Sequence, residues 1–433
     1  RYTLVTGVQT CALPISLEID GKTTLAAGTA NITLGNADND FIGEVAVTSA
    51  GSVILGDSNE LILGKCSITA NLTVGAGGDL TQSDAVVAAG TVSLDATGFN
   101  ITLDDDGNDF GTLLLKGDMV TIVDKNALAL GASTITGDFE LTTSGAVSEG
   151  AGALTVLGTT TLDAGAGNDI SLGTLAHDFN KVFVASGYNV ALRDASAAGL
   201  ILGTSDVTGA LTVTAAAGGI SQEGSLAVNL TLTLTAAGNI TLNDLDNFFF
   251  TVVASGVEVT LFNNADIDLG GVSATNLVVD AVGQISDSAA TLVTGTSSFT
   301  ARTADNKSDD IFLDASGANY GTSLSLDGRD VVVENDTMAT LTIGNATVTG
   351  DLMVTLNAAT PQTFTNAPGS NMSVDGKTTL TNSTTGGVIN LYTVGCKFHD
   401  WAFGDPSDDL YDPSADPHDN DNLSIEAETI NVY

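Results

Sequence analysis

The chain is short of proline. Of 433 residues only six are Pro, and none lies between residues 15 and 360. Proline cannot donate to a β-ladder, so a run of this length without it predicts backbone committed to inter-strand hydrogen bonds. Positive charge is also scarce. Twelve Lys+Arg stand against 52 Asp+Glu, a formal net charge of -40. Such a chain repels polyphosphate, which argues against nucleic acid as a partner. Three cysteines cannot make a disulfide framework, and no CxxC pair suggests a metal knuckle. No stretch approaches the ~18 consecutive apolar residues of a membrane-spanning helix. Aromatics make up 5 % of the chain, with one Trp. Small sandwich domains lean on aromatics for their cores, so a string of them is disfavoured. Catalytic residue types are thin: three His, four Arg, no GxSxG and no HExxH. The hydrophobic fraction, 43 %, is nonetheless too high for a disordered acidic chain.

What is present is a repeat. An aromatic follows Asp or Asn at Phe41, Phe110, Phe179, Phe248 and Tyr320, at spacings of 69, 69, 69 and 72. Nine residues before each, or eight in the fourth copy, stands an aliphatic: Ile32, Ile101, Ile170, Ile240 and Ile311. A sixth copy is read at Ile389 and Phe398. Two further markers keep step. One is an aliphatic pair before Gly, as at Leu61–Gly64 and Leu128–Gly131. The other is an apolar residue followed by Thr or Ser, as at Leu80-Thr81, Val147-Ser148, Ile220-Ser221 and Ile285-Ser286. Three series in register identify a repeat protein. Between the markers, short runs such as "ANITLG", "EVAVTS" and "TVSLDA" alternate apolar with polar residues, the period of a strand. Gly, Asn, Asp and Ser separate them as turn formers.

The predicted fold is all-β: a parallel β-helix, or β-solenoid, built from ~69-residue units of about three coils each, roughly 23 residues per coil. The crossover rule favours a right hand. About seventeen coils over residues 17–397 would stack to roughly 80 Å at the spacing of neighbouring strands. Thin coils keep small apolar residues inside and give the turns to Asp and Asn, so the negative charge reads as a solvated coat.

The segment Gly209–Leu242, "GALTVTAAAGGISQEGSLAVNLTLTLTAAGNITL", resembles the filamentous-haemagglutinin-like β-strand-repeat proteins of bacterial surfaces. The resemblance covers residues 17–397. It implies a secreted right-handed parallel β-helix of the two-partner-secretion or autotransporter type, extracellular or at the cell surface. It also implies an outer-membrane secretion partner and a structural or adhesive role toward surface glycans or proteins of host or neighbouring cells.

The ends differ from the repeats. Residues 1–16, with "TGVQTCALPIS", resemble translated sequencing-adapter sequence and are set aside as a non-native lead-in. Residues 398–422 form an Asp- and Pro-rich insertion, and 423–433 begin a further coil that stops at Tyr433, so a fragment of a longer protein is expected. The insertion carries Asp405, Asp408, Asp409, Asp412, Asp416, Asp419 and Asp421. Carboxylates this dense suit calcium, which takes six to eight oxygen ligands. A disordered acidic loop is the competing reading. Weaker calcium candidates are Asp104–Asp109 ("DDDGND") and the turn Gly165–Ser171. The functional expectation is a non-catalytic structural or adhesive repeat protein without a cofactor. The alternatives are a carbohydrate-active β-helix enzyme, its acids supplied by the insertion beside His399 and His418, or a calcium-binding repeat protein.

Overall fold

A computed structural model describes residues 16–392, 396–398, 401–402, 423–426 and 429–432. The chain packs as two units, Arg1–Gly218 and Gly219–Tyr433. In each, short strands pair in parallel with strands about one coil earlier and later, the arrangement of a β-solenoid. No helix occurs among the described residues.

The alternation read from the sequence sets the core. Within Val120–Asp124 the odd positions are buried and the even ones half-exposed, and Leu211–Ala215 repeats the pattern. Like residues then stack coil on coil. In the first unit one ladder runs Ile32, Val53, Leu72, Val92, Leu113 and Leu130. A second runs Ile101, Val120, Phe139, Thr160, Val182 and Leu202, in steps of 19, 19, 21, 22 and 20 residues. The coil is therefore about 20 residues long rather than 23. A 69-residue unit takes close to three and a half coils.

The half coil has a consequence for the repeat. Ile101 stands in the second ladder. Its sequence equivalent Ile170 stands in another, Leu128–Val147–Ile170–Val190–Leu211, which continues the face of Ile32. In the second unit Ile240 belongs to Ile220–Ile240–Val259–Leu277, and Ile311 to Ile267–Ile285–Ile311–Val331. Successive copies thus present the same residues on alternate faces of the coil.

The aromatic register needs one correction. Phe41, Phe110, Phe179 and Tyr320 are buried, but in the fourth copy the buried ring is Phe249, while Phe248 is half-exposed. Phe249 lies nine residues after Ile240, so all five copies share one spacing. Near the end, Leu423–Glu426 stacks on Thr378–Thr381, where strand character was expected to resume.

Candidate functional site

Each copy places a polar side chain inside the core, two residues before the buried aromatic. Asn39, Asn108, His177 and Asn247 occupy this position, all buried. Burying a polar group is costly unless its hydrogen bonds are made. In every case an acceptor atom takes the backbone N–H of a residue one coil earlier. Asn39 Oδ1 takes Leu17 at 3.0 Å, Asn108 Oδ1 takes Val86 at 2.9 Å, His177 Nδ1 takes Leu154 at 2.9 Å, and Asn247 Oδ1 takes Leu226 at 2.9 Å. The amide Nδ2 of Asn108 donates to the carbonyls of Leu103 and Val123, both at 3.2 Å.

A second side chain completes the corner. Gln82 pairs with Asn108 through two amide hydrogen bonds of 2.9 Å, and Gln222 pairs with Asn247 at 2.9 and 3.0 Å. In the third copy Glu149 stands in place of the glutamine, and its Oε1 lies 3.0 Å from His177 Nε2. Burial alone would raise the Glu149 carboxyl. Hydrogen bonds from the Thr174 hydroxyl, the N–H groups of Thr174 and Leu175, and His177 instead hold it down at about 2. In the fifth copy Ala318 occupies the asparagine position and Asp287 the glutamine position. The Tyr320 hydroxyl donates to Asp287 at 2.9 Å. Burial pushes Asp287 up to about 6, against the hydrogen bonds from Ala315, Tyr320 and Asp314. Burial and the Asp287 charge together push Tyr320 well above the ordinary phenol range.

The aromatic's own N–H is capped from the next coil. Asp57, Asp124, Asp194 and Asn263 accept it from Phe41, Phe110, Phe179 and Phe249 at 2.7–3.1 Å. All four are buried. Burial raises the three carboxyls above their ordinary range. One oxygen of Asp194, Oδ2, has no hydrogen-bond partner.

Turn Asp and Asn residues are not a merely solvated coat. Asp79 accepts the N–H of Asn100 at 3.0 Å, and Asn100 in turn accepts that of Met119 at 3.2 Å. Asp169, Asn189 and Ala210 form the same chain. In the second unit it runs Asp310, Asp330, Asp351 and Lys377. Arg329 also clamps Asp310 there with two bonds of 2.8 and 2.5 Å.

Of the sequence candidates, Asp405, Asp408, Asp409, Asp412, Asp416, Asp419 and Asp421 lie outside the described residues, as do His399 and His418. The Asp104–Asp109 carboxylates do not converge. Asp104 and Asp106 are exposed, Asp105 accepts the Gly107 N–H, Asn108 points into the core, and Asp109 pairs with Lys125 at 2.8 Å. In the turn Gly165–Ser171, Asn168 donates to the Ala164 carbonyl and Asp169 serves the turn ladder. Among the described residues no three of His, Cys, Asp and Glu come together as a metal site. Cys66 is buried between Val47 and Val86 in the stack, and burial pushes its thiol up to about 11. An open hollow of about 380 Å³ is lined by Val293, Thr294, Asn319, Thr322, Met338 and Thr340, without a charged side chain.

The buried pairs escaped the sequence reading, although a signal existed. Gln82, Glu149, Gln222 and Asp287 each directly follow the apolar-Thr/Ser marker. The recurrence of this corner at one spacing matches a known family model, repeats of unknown function (DUF5649), at residues 13–48, 50–115, 117–186, 187–256 and 254–327. The chain belongs to this family. No curated protein matches it, and no solved structure does. In this DUF5649 chain each family segment carries one copy of the buried aromatic, from Phe41 to Tyr320.

Proposed function

We propose that the chain is a non-catalytic structural or adhesive β-solenoid, exposed outside the cell as part of a larger surface or secreted repeat protein. One observation carries the reading. The polar side chains that recur from copy to copy are spent on coil-to-coil hydrogen bonds, as Asn108, Asp124 and Asn100 show. A repeat whose polar groups serve stacking is built for length and regularity, and leaves sheet faces and turns for contact with partners. The extracellular setting and an outer-membrane secretion partner rest on the resemblance of residues 17–397 to bacterial surface β-strand-repeat proteins.

The purified chain is to be incubated with a panel of acidic and neutral polysaccharides, and bound protein and cleaved product measured side by side. The expected result is retention on immobilised glycans or surface proteins without release of reducing ends or unsaturated products. Cleavage that disappears on Asp408→Ala or Asp409→Ala would overturn the reading and establish a β-helix enzyme. Absence of binding to every surface removes the adhesive half and leaves a scaffold.

A further inference from the structure

The third copy departs from its neighbours at one buried place. The second and fourth copies close the corner with amide pairs, which do not titrate; the third closes it with Glu149 and His177. His177 Nδ1 accepts the Leu154 N–H at 2.9 Å, so Nδ1 carries no proton. Nε2 therefore bears the ring N–H and donates it to Glu149 Oε1 at 3.0 Å. The tautomer is set by its two partners. A proton added at Nδ1 would place two N–H donors head to head around a side chain with no solvent exposure.

The ring pins both ends of one loop. Glu149 precedes Gly150–Ala153 and Leu154 follows it, and Gly152 within the loop has φ +95°. The charged groups about the ring are few. Glu149 faces it from the preceding coil. Asp194, buried and one oxygen short of a partner, lies beside it in register on the following coil, with Arg193 next to it. Asp178, on the ring's own strand, is exposed. The Phe179 ring lies 5.2 Å away. The carboxylates favour an imidazolium and Arg193 opposes it, while the Leu154 bond is lost when it forms.

We propose that Glu149 and His177 form a proton-operated latch: acidification charges the imidazole, expels the Leu154 N–H and frees the loop Gly150–Ala153, while the amide corners at Asn108 and Asn247 stay closed. An imidazole ordinarily charges between about pH 8 and pH 5, so the latch works in a range met outside cells and in acidified compartments.

Amide exchange of the intact chain at about pH 7.5 and about pH 5, corrected for intrinsic rates, tests this. Protection of Leu154 and the Gly150–Ala153 loop is expected to fall about tenfold on acidification, the worth of one buried hydrogen bond. Segments around Val86 and Leu226 should not respond. The double variant Glu149→Gln/His177→Asn installs the amide pair of the neighbouring copies and should be insensitive to the same change. An insensitive wild-type chain overturns the latch. A double variant that keeps the wild-type drop also overturns it and moves the sensitivity to Asp194. If the double variant fails to fold, ¹⁵N-imidazole spectra of the wild-type chain decide. The latch requires the Nε2–H tautomer at neutral pH and imidazolium at about pH 5; an Nδ1–H tautomer, or a ring still neutral at about pH 5, refutes it.

Discussion

Replacing Asp287 by asparagine should stabilise the fifth copy at neutral pH. The carboxyl is buried, its Oδ1 accepts the N–H groups of Asp314 and Ala315 at 2.8 and 3.0 Å, and its Oδ2 accepts the Tyr320 hydroxyl at 2.9 Å. Burial holds it at about 6 against an ordinary value of 3.8. The folded state therefore binds more protons than the unfolded state between about pH 4 and pH 6, and this group's contribution falls as pH rises through that window and is flat above it. Two units correspond to about 3 kcal/mol of cost at neutral pH. An amide keeps Oδ1 as acceptor and turns Nδ2 toward the Tyr320 oxygen, so every contact survives without a buried charge. Allowing about 1 kcal/mol for weaker neutral hydrogen bonds leaves a gain of about 2 kcal/mol, or about 30-fold in local opening. Hydrogen exchange across Ile285–Val293 and Ile311–Leu313 is the suitable assay, because repeat arrays need not unfold in one step. The Asp287→Asn chain should be more protected at pH 7 and equal to wild type near pH 4. Loss of protection at pH 7 would refute the reasoning. It would mean that the ionised carboxylate, held by Tyr320, is worth more than its burial costs.

Three further outcomes follow from the stacking. Asn108→Ala leaves the Val86 N–H and the Leu103 and Val123 carbonyls without partners and should cost about 2–3 kcal/mol, read as lost exchange protection on both adjacent coils. At Gly158 a Cβ would lie 2.3 Å from the Gly137 carbonyl oxygen, whereas at Gly75 nothing lies within 4 Å. Gly158→Ala should therefore lower the thermal midpoint, and Gly75→Ala should leave it unchanged or raise it by the worth of up to about 1 kcal/mol. In the turn ladder Asp79→Asn should be nearly neutral, since Oδ1 still faces the Asn100 N–H, while Asp79→Lys should cost about 1 kcal/mol in denaturant titration.

The architecture was legible because its causes are local. Strand period, absent proline and the spacing of Ile32, Ile101 and Ile170 each act within a few residues, and together they fix a parallel stack. The coil length was less legible. Marker spacing gives the unit of 69 residues, but dividing it into coils depends on where the chain turns. Three coils and three and a half differ only in which face Ile170 meets, Val147 being its partner. The fourth aromatic was misplaced because Phe248, Phe249 and Phe250 offer three candidates to a motif that tolerates Asp or Asn before the ring. Burial of Asn247 decides among them, and that is a tertiary fact. Glu149 and His177 lie 28 residues apart, at a distance where sequence shows no pairing until the coil length is known.

The excess of acid over base has a structural origin in the same geometry. Parallel stacking leaves each turn with a backbone N–H directed at the coil before it, as at Asn100, Met119 and Asp330. That donor needs a short side chain carrying an acceptor. Asp and Asn qualify, whereas Lys and Arg offer donors only. The buried position after each aromatic imposes the same demand, which Asp57, Asp124 and Asp194 meet with carboxylates and Asn263 meets with an amide. Asn263 also donates its Nδ2 to the carbonyls of Phe249, Ala265 and Asp266, so an amide satisfies the site fully without charge. Stacking thus requires acceptors but not their ionisation. Asparagine would hold the coils as well at many of these positions, and the negative charge beyond that need is left to act on whatever the outer surface meets.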